Sequence, residues 1–362
     1  MNIEELRSIK IEPVDNKYSD EIKANFDALA KPIDGLGELE RLVGQIGAIK
    51  RSDRPVINKR AVLIFAADNG VVDEGVTQCG QEVTRAVANL LTKGLSTLNY
   101  MAAPAKADVI SIDVGINSKD VEPLVVDKKV RFGTGNILHE DAMSINETLN
   151  AIQAGIDSVK ESLDKGYEIL AVGEMSIGNT TTATALESVL LDVPVEKIIS
   201  RGAGLSDTGL NRKAIVINEA ICRVRKELQS MEEDLDEFEY TLLVLSKIGG
   251  LDIAAMAGAY IGGAIYQVPM IADGVISLVA ALIAVRLFSL VKGYILPSHK
   301  GRGEGVSLLL NELSFNAMID ANMALGEGTG AVCLFPLLDI VMNLYNAGQS
   351  FASSNIDPYQ RF

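Results

Sequence analysis

The sequence predicts an α/β protein whose mainly parallel sheet is covered by helices on both faces. Three observations lead there. Short apolar or β-branched runs recur between longer segments of helical length and spacing. Several of those runs end in an acid or a Gly-rich turn, the usual place for a ligand in an open α/β sheet. No internal repeat and no Pro- or Ser-rich linker interrupts the alternation.

The strand runs, in order, are Ala61 to Ala67 (AVLIFAA), Val109 to Asp113 (VISID), Glu168 to Val172 (EILAV), Pro269 to Ala272 and Tyr294 to Leu296. Helices are expected over Gln81 to Ala102, Asp141 to Leu163, Asn179 to Leu191, Asp207 to Gln229, Leu251 to Tyr266, Gly274 to Leu290 and Ala331 to Leu344. The first sixty residues and the last thirty-five or so read as helical and supply no obvious strand.

One uncharged stretch has about the length of a membrane span, Ile253 to Ala272. Gly258, Gly262, Gly263 and Pro269 break it, and Asp252 and Asp273 flank it without a cluster of Lys or Arg. A buried helix followed by a short central strand is the expected reading, with no membrane.

Composition narrows the function classes. With 362 residues, 48% of them apolar, the chain can bury a large core. Its formal charge of −15 is densest in Met1 to Glu40 and Glu227 to Glu239, and repels nucleic acid and anionic lipid. Cys79, Cys222 and Cys333 form no CxxC pair, so no zinc site or disulfide framework is expected and a reducing compartment fits. The N-terminal MNIEELRSIK lacks the pattern of a secretory signal, which makes the cytoplasm the expected location.

Three segments carry chemistry. Gly173 to Thr182, GEMSIGNTTT, follows a predicted strand and opens a predicted helix, the geometry of an anion site. It lacks the Lys of a Walker loop. Glu174 would repel a phosphate but suits the hydroxyls of an attached sugar. Without a ligand the same loop reads as a capped helix start. Gly202-Ala203-Gly204-Leu205-Ser206-Asp207 leads into a helix bearing Arg212 and Lys213, and Lys213 can supply a point charge to a phosphate or lie on a solvated face. In Leu325-Gly326-Glu327-Gly328-Thr329-Gly330 a lone carboxylate sits between glycines before an apolar helix, as a general base or as an acid favoured by the helix dipole. His139 and His299 are too isolated to suggest a metal site, and no GxGxxG follows a strand.

Taken in order with KPIDGLGELE (31–40), ADNGVVDEG (67–75), QEVT (81–84), RGAGLSDTG (201–209), GGLDIAAMA (249–257), Asp273-Gly274 and Ser298-His299, these segments resemble the nicotinate-nucleotide:dimethylbenzimidazole phosphoribosyltransferases over nearly the whole chain. The resemblance implies transfer of 5-phosphoribose from nicotinate mononucleotide to an aromatic base, with inversion to the α configuration and with no metal or other cofactor. It implies that Glu327 is the catalytic base. Glu174, Ser176, Gly178, Asn179, Thr180, Gly202, Gly204, Lys213 and Asp273 would surround ribose and phosphate, and Gln81 and Leu325 would flank the aromatic base. A Rossmann-like large domain, 61–325, would be joined by a small helical domain from 1–60 and 326–362. A dimer is implied, with a second copy or, as in the branch that uses phenol or p-cresol, with a paralogous chain. Three departures stand out: Asn69 where the family usually has His, Cys79-Gly80 where it usually has Tyr-Pro, and the segment Lys300 to Gly305 after His299; the lost Tyr bears on which base is accepted.

Overall fold

A computed structural model describes residues 1–231 and 235–360. Residues 232–234, inside the acidic run at Glu227 to Glu239, and residues 361 and 362, at the end of the expected helical segment, lie outside the described residues.

The chain opens with three helices, α1 (Ile3–Arg7), α2 (Asn16–Asp27) and α3 (Glu38–Lys50), before β1 (Arg60–Ala67). Every residue of β1 is buried, which is why it reads as a continuous apolar run rather than an alternating one. Next come α4 (Glu82–Thr92) and α5 (Thr97–Ala102), then β2 (Ala107–Gly115) and β3 (Val126–Asp127). The single helix expected over Gln81 to Ala102 is therefore two. Gly94 at φ +74 turns the chain, and Ser96 caps the second helix through a reciprocal bond with Asn99.

The second half begins with α6 (Ile145–Asp164), β4 (Ile169–Met175), α7 (Asn179–Leu191), α8 (Val195–Ile198), α9 (Asp207–Gln229) and α10 (Glu237–Ile248). It continues through α11 (Leu251–Ile265), β5 (Met270–Ala272), α12 (Val275–Leu287), β6 (Ile295–Pro297) and β7 (His299–Gly301). It closes with α13 (Glu304–Glu312), β8 (Ile319–Met323), α14 (Thr329–Ala347) and α15 (Phe351–Ser354).

The main sheet has the order β3-β2-β1-β4-β5-β6 and all its pairings are parallel; β7 and β8 form a separate parallel pair. Neighbouring strands β1 and β4 are where the winding reverses, so their C-terminal ends open a crevice.

The stretch that resembled a membrane span divides as expected. Its helix, α11, is 15 residues long and buried almost all round, and β5 lies inside the sheet. Gly155 of α6 and Gly258 of α11 have no room for a side chain, because a methyl on either would overlap the carbonyl of Ala255 or Ile152 on the facing helix. Among the described residues α14 alone is long and apolar enough to cross a membrane. It packs on β4, α3 and α5, and its Asp339 pairs with the buried Arg60 of β1 at 2.7 Å. The two chain ends meet: Leu29 bridges Ser350, and the Phe26 and Tyr345 rings lie 4.8 Å apart.

Candidate active site

The site forms at the C-terminal ends of β1, β4 and β5, where strands give way to turns. Glu174 pairs in register with Phe65 near the end of β4. The chain then turns through Ser176, Ile177 and Gly178 into α7. Gly178 takes φ +96 and leaves the start of α7 without a side-chain cap; in that first turn the Thr181 N–H bonds the Gly178 carbonyl at 2.9 Å and the Asn179 N–H the Ser176 carbonyl at 3.4 Å. A side chain at Gly178 would press on Asn69 Cβ at 3.0 Å, which shows how tightly the β1 and β4 turns nest.

Asn69, following β1, donates from Nδ2 to Ser176 Oγ at 2.8 Å and to the Ile177 carbonyl at 3.2 Å. Gln81 donates to the Asn69 carbonyl at 3.0 Å and accepts from Asn117 Nδ2 at 2.8 Å. Its amide thereby fixes the β1 turn. Thr84 accepts the Ile177 N–H at 3.1 Å. Asn179 donates to Glu174 Oε2 at 2.6 Å and to Asp252 Oδ2 at 3.1 Å.

Lys213 approaches the same loop from the other side. Its side chain is fully buried, and Nζ donates to Thr180 Oγ1 at 2.8 Å and to the Ser200 carbonyl at 3.0 Å. Burial lowers this ammonium to about 8. Gly202 takes φ +53 against Thr180 Oγ1, which a methyl would meet at 3.0 Å. Gly204, at φ +123, donates its N–H to the Arg201 carbonyl at 3.0 Å, so that donor is held inside the turn.

The third segment closes over Glu174. Gly326, Glu327 and Gly328 all have positive φ, +86, +57 and +77. For the two glycines this is free, whereas Glu327 adopts a left-handed backbone that disfavours an L side chain by about 1–2 kcal/mol. Asp273, after β5, holds the loop by accepting from Gly328 N at 3.1 Å and from Ala331 N at 3.0 Å. Gly173 allows the approach, since a methyl there would meet Gly328 N at 2.6 Å. A methyl on Gly326 would lie 3.0 Å from Glu174 Oε1, so the Glu327 loop sits directly on that carboxyl. His299 packs beneath Gly330, with Nδ1 2.9 Å from Ser298 Oγ and 4.0 Å from Asp273 Oδ1.

Electrostatically the site has two ends. Glu174, Asp252, Asp273 and Glu327 gather on one side, and none of Glu174, Asp252 and Glu327 forms an ion pair with Lys or Arg among the described residues. Burial raises the Glu174 carboxyl, and the nearby charges of Asp252, Asp273 and Glu327 raise it further. Glu327 is raised by burial and then by Asp273. Lys213 and the start of α7 form the other end.

The structure thus brings Glu174, Ser176, Gly178, Asn179, Thr180, Gly202, Lys213, Asp273 and Glu327 around one crevice. Gln81 reaches it through Asn69, and Leu325 stands about half exposed beside Gly326. Asp252 lies within the GGLDIAAMA motif, which by itself assigns it no task. A signal was present all the same: an acid at the head of a long uncharged helix is rarely buried without a function or partner.

A family model described as phosphoribosyltransferase matches residues 11–356. A nicotinate-nucleotide:dimethylbenzimidazole phosphoribosyltransferase of Clostridium acetobutylicum is 39% identical over 361 residues, 99% of each chain. The chain belongs to this family. One from Acetivibrio thermocellus is 38% identical over 94% of each chain. The crystal structure of CobT from Thermus thermophilus superposes with a TM-score of 0.87 at 31% identity, over 95% of this chain and 100% of that one. Membership makes the chain a pentosyltransferase and agrees with the α/β architecture read from the strand runs.

Proposed function

We propose that the chain moves 5-phosphoribose from nicotinate mononucleotide to a ring nitrogen of an aromatic base of the 5,6-dimethylbenzimidazole type, releasing nicotinate and an α-ribotide. The observation that carries this reading is the division of one crevice into a buried lysine beside an uncapped helix start and a group of acids without Lys or Arg partners. Phosphate suits the first end and a positively charged sugar carbon the second.

In this reading Lys213 and the first turn of α7, with Thr180, hold the phosphate, while Gly178, Gly202 and Gly204 permit the tight turns around it. Ser176 and Glu174 meet the ribose, and Asn179 orients Glu174 through its amide. The bond from C1′ to the pyridinium nitrogen breaks, its electron pair returns to the ring, and nicotinate leaves neutral at nitrogen. The transition state carries positive charge on the ribose, which the acids stabilise. The incoming nitrogen bonds C1′ from the opposite face, and Glu327 takes the proton the base gives up. A carboxyl raised by burial is a better proton acceptor than an exposed one. Asp273 acts through the backbone, fixing the loop that carries Glu327.

Gln81 and Leu325 flank the base, next to Cys79-Gly80. A phenol or p-cresol would yield its O–H proton to the same Glu327, so the departures at Cys79-Gly80 and Asn69 set which ring fits rather than the chemistry. We place the reaction in the cytoplasm, consistent with three unpaired cysteines, and assign the active form as a dimer of this chain or of this chain with a paralogue.

The test incubates the purified chain, alone and with any co-expressed relative, with nicotinate mononucleotide and a panel of benzimidazoles, purines and phenols. Release of nicotinate that depends on the added base supports the reading. No release under any combination overturns it.

A further inference from the structure

Asp252 is fully buried on the first turn of α11, whereas Glu174 is partly open to the crevice. Both carboxylates end on one nitrogen, since Asn179 Nδ2 gives one hydrogen to Glu174 at 2.6 Å and the other to Asp252 at 3.1 Å. The charged groups facing the pair from the neighbouring loops, Asp273 and Glu327, are acids, and His299 is engaged beside Asp273. Two full negative charges meeting on a neutral amide would repel, and besides Asn179 only the backbone N–H groups at the head of α11 and the Ser176 hydroxyl, with no cation, favour the charged form of Asp252.

The hydrogen bonds show where a proton belongs. Asp252 Oδ1 and Asn69 Oδ1 are both buried without a donor. They lie together beneath Gly250, where a methyl would meet them at 2.5 and 3.1 Å. Two acceptors without a donor facing the same spot leave a place for a hydrogen, and of the two only Asp252 can carry one.

We propose that Asp252 is a positioning residue for the transfer: with Glu174 it forms a carboxyl pair, bridged by Asn179, that keeps one proton and so places one fixed negative charge beneath the ribose. The inference rests on the function proposed above for its catalytic consequence, though not for the existence of the pair. Asp252 touches no substrate. It keeps Glu174 oriented and spares the crevice a second charge that would have to be neutralised in every turnover.

Asp252→Asn is isosteric, can still accept from Asn179, and supplies an N–H to Asn69 Oδ1, so the fold is expected to persist with Tm changed by no more than a few degrees. Infrared difference spectra at pH 7 between wild type and D252N are expected to show one protonated carboxyl fewer in the variant. kcat for nicotinate release should fall about 10–100-fold, the loss that follows from one charge-assisted contact, with KM for nicotinate mononucleotide within about threefold. Asn179→Ala should lower kcat similarly, and the double variant no further, because both act through Glu174. An unchanged count of protonated carboxyls, an unchanged kcat, or additive losses would each overturn the proposal. Should D252N fail to fold, N179A carries the spectral test: freed from its bridge the pair changes its carboxyl bands, and an unaltered spectrum overturns the proposal. The spectra require no turnover, so a wild type that releases no nicotinate defeats the functional reading and leaves the pair to be judged on its own.

Discussion

The Asp273 carboxylate accepts the Gly328 N–H at 3.1 Å, and its second oxygen accepts from Ala331 at 3.0 Å. An acid at the end of a central strand therefore caps α14 and anchors the peptide that carries Glu327. Asp273→Asn offers one acceptor and one donor where two N–H groups point inward. It should destabilise the fold by about 1–3 kcal/mol and lower kcat more than KM, as read by thermal unfolding and steady-state kinetics.

Gly326→Ala places a methyl at φ +86 and 3.0 Å from Glu174 Oε1. Backbone strain of about 1–2 kcal/mol adds to pressure on the carboxyl beneath the ribose. Reduced Tm together with reduced kcat is expected; full activity would show that the loop does not rest on Glu174 during turnover.

Lys213 loses its charge as pH rises through about 8, because burial disfavours the ammonium. kcat/KM reports the free enzyme, so it should decline above pH 8 as the phosphate loses its counter-charge. Lys213→Gln should raise KM about 10–100-fold, the worth of one charge-assisted hydrogen bond, and remove that alkaline decline. A variant that keeps the decline would assign it to another group.

Glu187 gives a prediction about stability alone. It is buried on α7, its Oε1 has no partner, and burial raises it from 4.5 to about 7. The folded carboxyl holds its proton where the unfolded one has lost it, so this residue's burden on the fold grows as pH rises from the unfolded value and is complete above about 7. Glu187→Gln should raise Tm at pH 8 and change it little at pH 4. Equal shifts at both pH values would contradict the linkage.

Much of the architecture was legible because buried parallel strands leave continuous apolar runs: all five expected strands are present, each end within about three residues of its expected place. β3, β7 and β8 were not, being short and, in β8, polar and mostly exposed, with no apolar run to betray them. The helix break near Gly94 was hidden by a helical pattern on both sides. At the site, the three Gly-rich loops were visible one by one, but their convergence depends on strand order, which a sequence does not display. Asp252 and Asn69 escaped assignment for the same reason, because their partners lie 73 and 107 residues away along the chain.

The central claim is that Glu327, held between two glycines above Glu174, takes the proton of the incoming base. Its most direct measurement compares wild type and Glu327→Gln for base-dependent nicotinate release, with KM determined for both substrates. The account predicts a kcat about 10²–10⁴-fold lower in the variant, with KM for nicotinate mononucleotide changed only a few-fold. A variant whose kcat stays within twofold of wild type would contradict it.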